Sequence, residues 1–233
     1  MNQRLDVVTT ALCRPELLDL TYRSFFTGLK DLPGIRIILN VDPLGKADKS
    51  ECIRVAKRYS DAVVFRCPES PGFMDAVKWC YEQVETPLVL HLEDDWLLTR
   101  TVDYKRLLAN LLESGSDQAV LLMKAARPRG ETRYSFRPHL ARSERVCAAL
   151  ESLSVNEGNP EKCLAQHPSV LLSSDFTIGG ERLVVDMGRK WAKAQGLKKH
   201  DNGDSWFVPR TQSLLAKLEY SLSLARWRSI ALQ

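Results

Sequence analysis

Three carboxylates in a row, Glu93-Asp94-Asp95, stand directly after the short apolar run LVLHL at 88–92. Like charges at this spacing repel one another, so the triplet would cost stability unless a cation neutralises it. Oxygen ligands suit Mg²⁺ or Mn²⁺. Alternate residues of an extended segment point to the same side, which would let Glu93 and Asp95 face one ion. The triplet therefore indicates a divalent-metal site. The alternative is an acidic loop that caps the following helix.

The elements that would position this triplet alternate between strands and helices. β-Branched or apolar segments predict strands at 6–12, 35–41, 62–65, 88–92 and 119–123. Helices are expected to begin at Pro15, after an N-cap at Asp48, after the turn at Pro71-Gly72, and around 107–112. Such alternation is typical of an α/β fold with a mostly parallel sheet and helices on both faces. Because such sheets bind ligands at the carboxyl ends of their strands, we expect the triplet at the binding edge.

The alternation weakens after Met123. The basic stretch to about Arg142 is predicted to be loop, and Val170 to Leu172 to be a strand. A helix is expected over 181–195, ended by Gly196. The leucine-rich tail from Gln212 predicts a last helix that packs back on the domain. With 233 residues, the chain is expected to form one domain with a C-terminal helical extension.

Composition indicates an ordinary globular protein, with 44% hydrophobic and 27% charged residues. No apolar run approaches the roughly 20 residues that a transmembrane helix needs, so no membrane span is expected. An acidic residue, Asp6, interrupts the N-terminus before any apolar stretch, which argues against a signal peptide. The six cysteines form no Cys-x-x-Cys pair and are interpreted as reduced core residues of a cytoplasmic protein.

Basic residues concentrate between Lys124 and Arg145, in a chain whose net charge is only +4. A second, smaller group lies between Arg189 and Lys199. The segment indicates either solvated surface or a surface for a polyanion, and Tyr134 and Phe136 within it could stack on an unpaired base. Its members are Lys124, Arg127, Arg129, Arg133, Arg137, Arg142 and Arg145.

Residues 88–97, LVLHLEDDWL, resemble the Asp-x-Asp region of GT-A glycosyltransferases in its Glu-Asp-Asp-Trp variant. Residues 7–25, VVTTALCRPELLDLTYRSF, resemble the first strand and helix of the family-two-like members, and 71–76 resemble the turn and helix before the motif strand. The likeness covers about residues 5 to 125. The Asp-Asp-x-Ser cluster that often follows the second strand in the family is absent from this sequence.

The resemblance implies a GT-A fold and roles for the matching positions. Thr9, Thr10 and Arg14 would line the nucleotide pocket, and Asp42 would bond the base or ribose. Asp94 would reach the ribose, and Asp95, with Glu93, would hold Mn²⁺ or Mg²⁺ on the diphosphate. Trp96, directly after the motif, could stack on a sugar or base. The resemblance also divides the chain into a nucleotide-sugar-binding half at 1–125, an acceptor-binding and catalytic half at 126–210, and a C-terminal helix at 211–233.

A general base is sought in the second half of the chain. The run from His200 to Trp206 loosely resembles the Glu-Asp-x-Asp segment that carries the base in many inverting relatives. Asp204 and then Asp201 are the candidates, and a polar turn is the alternative reading of the same run. Asp175 and Glu181 form a reserve pair, and His200 is either an extra metal ligand or a surface histidine.

The sequence as a whole predicts a metal-dependent glycosyltransferase that moves a sugar from a nucleotide-sugar, most simply a UDP-sugar, to an acceptor hydroxyl. The basic segment at 124–145 suggests a hydroxylated base in DNA as acceptor, of the kind some phage glycosyltransferases decorate. A saccharide or lipid-linked acceptor remains open. Two other classes also remain open: a metal-dependent nuclease or phosphoryl-transfer enzyme, which could use Asp6 and Asp42, and a non-catalytic nucleotide-binding module.

Overall fold

The computed structural model describes residues 4–43, 48–121, 123, 134–155, 158–167, 171–199, 206–209 and 213–231. Its strands are β1 (Arg4–Leu12), β2 (Leu29–Lys30), β3 (Gly34–Asp42), β4 (Val63–Arg66), β5 (Leu88–Glu93), β6 (Trp96–Leu98), β7 (Val102–Asp103), β8 (Gln118–Leu121), β9 (His139–Arg142), β10 (Ser173–Phe176), β11 (Val184–Asp186), β12 (Leu197–Lys199) and β13 (Trp206–Pro209). Its helices are α1 (Pro15–Gly28), α2 (Lys49–Lys57), α3 (Phe73–Glu82), α4 (Tyr104–Glu113), α5 (Ser143–Glu151), α6 (Pro160–Ala165), α7 (Gly188–Ala194) and α8 (Leu214–Ala231).

The central sheet has the strand order β10-β8-β9-β5-β1-β3-β4. Its neighbouring strands pair in parallel except around β9, which runs antiparallel to both β5 and β8. This confirms the predicted α/β fold with a mostly parallel sheet. Because β1, β3, β5 and β8 share one direction, their carboxyl ends lie at the same edge of the sheet.

Helices cover both faces of the sheet, as the alternation predicted. On one face, α1, α2 and α4 pack against alternate strand residues such as Val7, Leu39 and Leu90. On the other face, α3, α5 and α6 pack against the intervening residues, including Val8 and Ile38. The interior strands are buried on both sides, which is why they read as nearly continuous apolar runs.

Two predictions for the second half were wrong. Within the stretch predicted as loop, residues 139–142 form β9, because Leu140 and Ala141 are fully buried where this strand fills the gap between β5 and β8. The strand expected at 170–172 lies instead at Ser173–Phe176, where a mixed polar sequence pairs along the edge of β8.

The helix expected over 181–195 is only half helical. Its first part is β11, which pairs antiparallel with β6, and α7 begins only at Gly188. Gly196 follows the helix with φ +71°, as its predicted role at the C-terminus requires. The last predicted helix is confirmed as α8, which packs against α1, β6 and α7. Among the described residues, no helix combines the length and the apolar character that crossing a bilayer would require.

Candidate active site

The acidic triplet lies at the edge of the sheet where the parallel strands end. Glu93 is the last residue of β5 and pairs with Thr10 of β1, while Leu12 at the end of β1 pairs with Asp42 at the end of β3. Residues that are far apart in the sequence are thus neighbours at one edge. The predicted clustering of Thr10, Asp42 and the triplet follows directly from strand order and register.

Arg14, the N-cap residue directly before α1, supplies a cation to the triplet from within the chain. Its Nε lies 2.9 Å from Asp94 Oδ2, its NH2 group contacts Asp94 Oδ1, and the same NH2 lies 3.0 Å from Asp95 Oδ2. The side chain of Arg14 is only 4% exposed and that of Asp94 only 2%. A guanidinium from the chain itself therefore supplies part of the positive charge that the triplet was expected to need.

The backbone fixes this ion pair from two further sides. The N–H of Leu12 donates to Asp94 Oδ2 at 3.1 Å, and Thr21 Oγ1 donates to the Asp94 carbonyl at 2.9 Å. Burial raises the pKa of Asp94 to about 6, although contact with Arg14 opposes that rise. Burial also acts to lower the pKa of Arg14, but the two carboxylates outweigh it and raise that pKa. Asp94 and Arg14 therefore fix each other's position.

Asp95 is the more accessible carboxylate of the pair, with a side chain 16% exposed. It lies against the junction of β11 and α7: the Met187 N–H donates to the Asp95 carbonyl at 2.8 Å, and a Cβ added to Gly188 would overlap Asp95 Oδ2. Burial, and then the nearby charge of Asp95, raise the pKa of Asp186 at the end of β11. The structure therefore brings a second carboxylate to Asp95 that sequence reasoning did not select.

Glu93 and Trp96 bond each other across the turn that follows β5. Trp96 Nε1 donates to Glu93 Oε2 at 3.0 Å, and the indole of Trp96 is buried in the main core. A buried indole cannot stack on a sugar, so that expectation for Trp96 was wrong. A different tryptophan, Trp191 of α7, lies beside the site with its ring centroid 4.9 Å from the Arg14 guanidinium carbon.

A polar network lies at the same edge of the sheet, on the face that α3 covers. Asp42 accepts from Asn40 Nδ2 at 2.8 Å and from the Gly72 N–H at 3.2 Å, and Asn40 Oδ1 accepts from Arg66 Nε at 2.8 Å. Burial raises the pKa of Asp42 against the effect of these donors. In the described part of the chain, Thr10 Oγ1 is buried on this face without a hydrogen-bond partner.

The side chain of Thr9 points to the opposite face of the sheet from that of Thr10. It alternates with Thr10, lies fully buried, and shares the face of Val7 and Ala11 that packs against α1. Of the two threonines predicted to line a nucleotide pocket, only Thr10 is therefore placed on the polar face of the edge.

Other predicted residues lie away from the triplet. Asp6 stands at the opposite end of β1, where Arg36 Nε and NH2 bind its two oxygens at 2.7 and 2.8 Å. Asp175 lies on the edge strand β10 beside an open hollow of about 350 Å³ that α4 also lines. Glu181 forms an exposed ion pair with Arg100. Asp201, Asp204 and His200 lie outside the described residues.

The described part of the basic segment serves the fold. Tyr134 and Phe136 are buried, so their expected stacking on an unpaired base was wrong. Arg142 Nε donates to the Ser116 carbonyl at 3.3 Å, and Arg145 pairs with Asp117 at 3.1 Å. Lys124, Arg127, Arg129 and Arg133 lie outside the described residues.

Tyr134 and Phe136 surround a buried pair of histidines. The rings of His91 and His139 stack with centroids 5.0 Å apart and planes 7° apart. Tyr81 Oη lies 3.3 Å from His91 Nδ1, and His139 Nδ1 lies 2.7 Å from the Arg137 carbonyl. Burial lowers the pKa of His139 to about 4, and burial together with the neighbouring His139 also lowers the pKa of His91. Both imidazoles are therefore neutral near pH 7.

The donor set at the edge fits a divalent ion only together with a ligand. Among the described residues, no group of three or more His, Cys, Asp or Glu side chains is placed to hold a metal. Asp95 and Asp186 remain as a pair of neighbouring carboxylates. Mg²⁺-type ions commonly bind one or two carboxylates and complete their shell with phosphate oxygens and water, so Asp95, the more exposed carboxylate of the triplet pair, suits a metal that arrives with a diphosphate.

Comparisons with protein-family models and with curated protein sequences find no match. Among solved structures, S. aureus TarS 1-349 matches with a TM-score of 0.57 and 13% identity, over 82% of this chain and 64% of that one. The mannosyltransferase PcManGT from Pyrobaculum calidifontis, in complex with GDP-Man and Mn²⁺, matches with a TM-score of 0.53 and 14% identity, over 100% of this chain and 74% of that one. HddC from Yersinia pseudotuberculosis matches with a TM-score of 0.56 and 14% identity, over 79% of this chain and 94% of that one.

These likenesses establish the fold, which is the GT-A type of α/β fold that the sequence predicted. The chain spans less than two thirds of the length of TarS 1-349.

Proposed function

We propose that this protein transfers a sugar from a nucleotide-sugar donor to an acceptor hydroxyl. The observation that carries the proposal is the Arg14–Asp94–Asp95 cluster at the carboxyl edge of a GT-A sheet. Similar folds were solved with sugar nucleotides: TarS with UDP-GlcNAc, and PcManGT with GDP-Man and Mn²⁺.

Each residue of the edge takes a role that its contacts allow. Asp95 faces the ligand because it is the more exposed of the paired carboxylates. Asp94 was expected to reach the ribose, but its oxygens accept from Arg14 and Leu12, so in this proposal it fixes Arg14. Thr10 and Asp42 line the part of the edge that would receive the nucleoside, where Thr10 Oγ1 is available as a donor or acceptor.

A divalent ion would be held by Asp95, with Glu93 nearby, and it would neutralise charge on the departing diphosphate. The chain's own contribution is the fixed electrostatic environment around that diphosphate. Arg14 is locked between two carboxylates and an indole, so it needs no reorganisation during the reaction.

Asp186 is our candidate for the general base. Its side chain is 23% exposed and lies beside Asp95, and its pKa is raised by partial burial and by that charge, against the lowering effect of its ion pair with Arg189, as suits a carboxylate that must accept a proton. Asp204 and Asp201, the candidates from sequence, lie outside the described residues and stay as the alternative bases.

Two substitutions test these roles separately. Asp95→Asn should abolish transfer and the Mn²⁺-dependent part of nucleotide-sugar binding, measured by thermal shift and by release of nucleoside diphosphate. Asp186→Asn should lower kcat by about 10²- to 10⁴-fold and leave donor affinity within a few-fold, because a base acts mainly in the transition state. Asp175→Asn on the remote edge strand is the matched control and should stay active. If Asp175→Asn or Asp204→Asn is inactive while Asp186→Asn turns over normally, the base is assigned wrongly.

The acceptor is the finer part of the proposal. DNA would be recognised through residues 124–133 and Arg137, and it predicts activity that falls steeply with salt, because each neutralised phosphate releases counterions. Reversing the charges of Arg129, Arg133 and Arg137 together should flatten that salt dependence without changing donor binding. Salt-insensitive transfer to a saccharide or to a lipid-linked acceptor, with no binding of DNA at low ionic strength, would exclude the DNA acceptor.

The nuclease alternative loses one of its two acids in this fold. Asp6 and Asp42 stand at opposite ends of their strands, and Asp6 is held in a buried pair with Arg36. Nuclease activity without any nucleotide-sugar would nevertheless overturn the proposed function. Failure to bind UDP-, GDP- or TDP-sugars with or without Mn²⁺ would favour a non-catalytic module.

A further inference from the structure

Helix α8 carries a stripe of exposed leucines on its outer face. Leu214, Leu218 and Leu222 follow one another at four-residue spacing, and Leu215 lies beside them, so the four side chains share one side of the helix. Their exposures are 84%, 57%, 66% and 64% in that order. They make up half of the large hydrophobic side chains that are exposed in the described part of the chain, and they are the ones gathered on a single helix.

The opposite side of α8 is already used for packing. Ala216, Trp227 and Ala231 are buried in a small core with Leu17, Leu20 and Leu97, and Tyr220, Leu224 and Ile230 pack against it. An α-helix that is apolar on both sides is usually covered on both sides. Since the inner face fixes α8 to the domain, the outer leucines are left for a contact outside this fold.

The surface around the stripe carries an excess of basic side chains. Helices α7 and α8 together carry six basic side chains and one acidic one, Glu219. Three of the six form ion pairs, Lys193 with Glu219, Arg189 with Asp186 and Arg228 with Glu16, and the pairs leave Lys190, Lys217 and Arg226 as the excess. Two of the basic residues, Lys217 and Arg226, lie on α8 at the two flanks of the leucine stripe and are exposed. The full basic set is Arg189, Lys190, Lys193, Lys217, Arg226 and Arg228.

The positive charge around the stripe indicates which kind of surface binds there. A second copy of the chain would bring one basic surface against another, which the repulsion of like charges disfavours. An anionic surface that also accepts leucine side chains satisfies both features. A helix lying in the plane of a lipid headgroup layer has this arrangement, with an apolar stripe towards the acyl chains and basic residues at its sides.

We propose that the outer face of α8 docks on an anionic lipid surface. The four leucines enter the interface, and Lys217 and Arg226 contact the acidic headgroups on either side. Because α8 packs on α7 and on α1, docking would hold the candidate active site at a fixed orientation to the bilayer: α7 begins at Gly188 beside Asp95, and Arg14 is the N-cap of α1. The proposal is independent of the glycosyl-transfer reaction.

Vesicle co-sedimentation of the whole protein tests the proposal without any assay of transfer. Vesicles of phosphatidylcholine alone are compared with vesicles that contain about one quarter phosphatidylglycerol. We expect binding to the anionic vesicles that weakens as salt is raised. Leu218→Ser with Leu222→Ser should weaken it by at least about tenfold, because binding scales with the apolar area that is buried. The matched control, Leu112→Ser with Leu172→Ser, removes two exposed leucines elsewhere and should bind like the wild type.

Charge is tested separately by Lys217→Glu with Arg226→Glu, against Arg54→Glu on the exposed side of α2 as the control. The first pair should lose the preference for anionic vesicles, and the control should keep it. Failure of the wild type to sediment with anionic vesicles would overturn the proposal, as would binding that the leucine substitutions leave unchanged. A dimer in light scattering that these substitutions dissociate, and that vesicles do not compete with, would assign the stripe to a second copy instead.

Discussion

Acid should destabilise this protein through the buried, stacked pair His91 and His139. The folded-state pKa of His139 is lowered by burial from 6.5 to about 4, and that of His91 is lowered as well. In the unfolded chain both imidazoles would bind protons with their ordinary pKa. Above about pH 6.5 both states are neutral, so the pair makes no pH-dependent contribution. As the pH falls from there towards 4, the unfolded state takes up protons that the folded state excludes, and stability is lost.

The size of the effect follows from the shift. For His139 alone, a pKa difference of about 2.5 units corresponds to a full loss of about 3 kcal/mol, with roughly 2 kcal/mol of it already lost at pH 5. Small domains are stable by only about 5–15 kcal/mol, so two such histidines would remove a large share. Asp94 and Asp186 act in the opposite direction, because their raised pKa values let the folded state bind protons in an overlapping range.

A comparison of two proteins separates these contributions. The free energy of unfolding is measured in urea from pH 7.5 to pH 5 for the wild type and for His139→Phe, and the carboxylate contributions cancel in the difference. Between pH 7.5 and pH 5, we expect the unfolding free energy of the wild type to fall by about 2 kcal/mol more than that of the variant. Phe136→Leu, which loosens the same cluster but keeps both imidazoles, should lower stability equally at every pH. A difference between wild type and His139→Phe that stays constant with pH would refute the reasoning.

Three further substitutions separate fold from site. Asp6→Asn should cost about 1.5–3 kcal/mol of unfolding free energy, because it removes the charge of a fully buried carboxylate and leaves Arg36 with the exposed Glu85 as its acidic partner. It should not change donor affinity measured below the melting temperature; unchanged stability would contradict the assigned ion pair. Gly188→Ala should reduce transfer at least about tenfold with little loss of helix content, since its Cβ would displace Asp95. The control is Gly34→Ala, whose Cβ would meet no atom within 4 Å and which should therefore be neutral. Equal activity of the two variants would show that the position of Asp95 is unimportant.

The first half of the fold could be predicted because its signals are local. Pro15 at the start of α1 and Asp48, whose side chain caps α2 by accepting from the Ser50 N–H, mark helix starts in the sequence itself. In the second half, β9 and β11 are only four and three residues long. Their strand character comes from partners, β5 and β8 for one and β6 for the other, and those partners cannot be read from so short a segment.

The candidate site also has parts that the local sequence reveals and parts that depend on distant partners. The triplet could be found because its three charges are adjacent in the sequence, and Arg14 was included because of the resemblance. That Arg14 would neutralise the triplet depends on β1 and β5 being neighbours with Thr10 opposite Glu93. Asp186 gave no signal, because it is an isolated acid that reaches Asp95 only through the antiparallel pairing of β11 with β6. Both contacts, that of Arg14 with the triplet and that of Asp186 with Asp95, depend on the register between distant strands, which the local sequence does not encode.

The reversed strand β9 has a consequence for how the protein can diversify. The chain leaves β8 at Leu121 and enters β9 at His139, and both points lie at the edge of the sheet where β5 ends in Glu93. The connection between these two strands therefore starts and ends at the same edge of the sheet as the triplet. Apart from the buried Tyr134 and Phe136, its length and composition can change while the register of β5, β8 and β9 stays the same, so this connection can vary without moving the edge that holds the triplet.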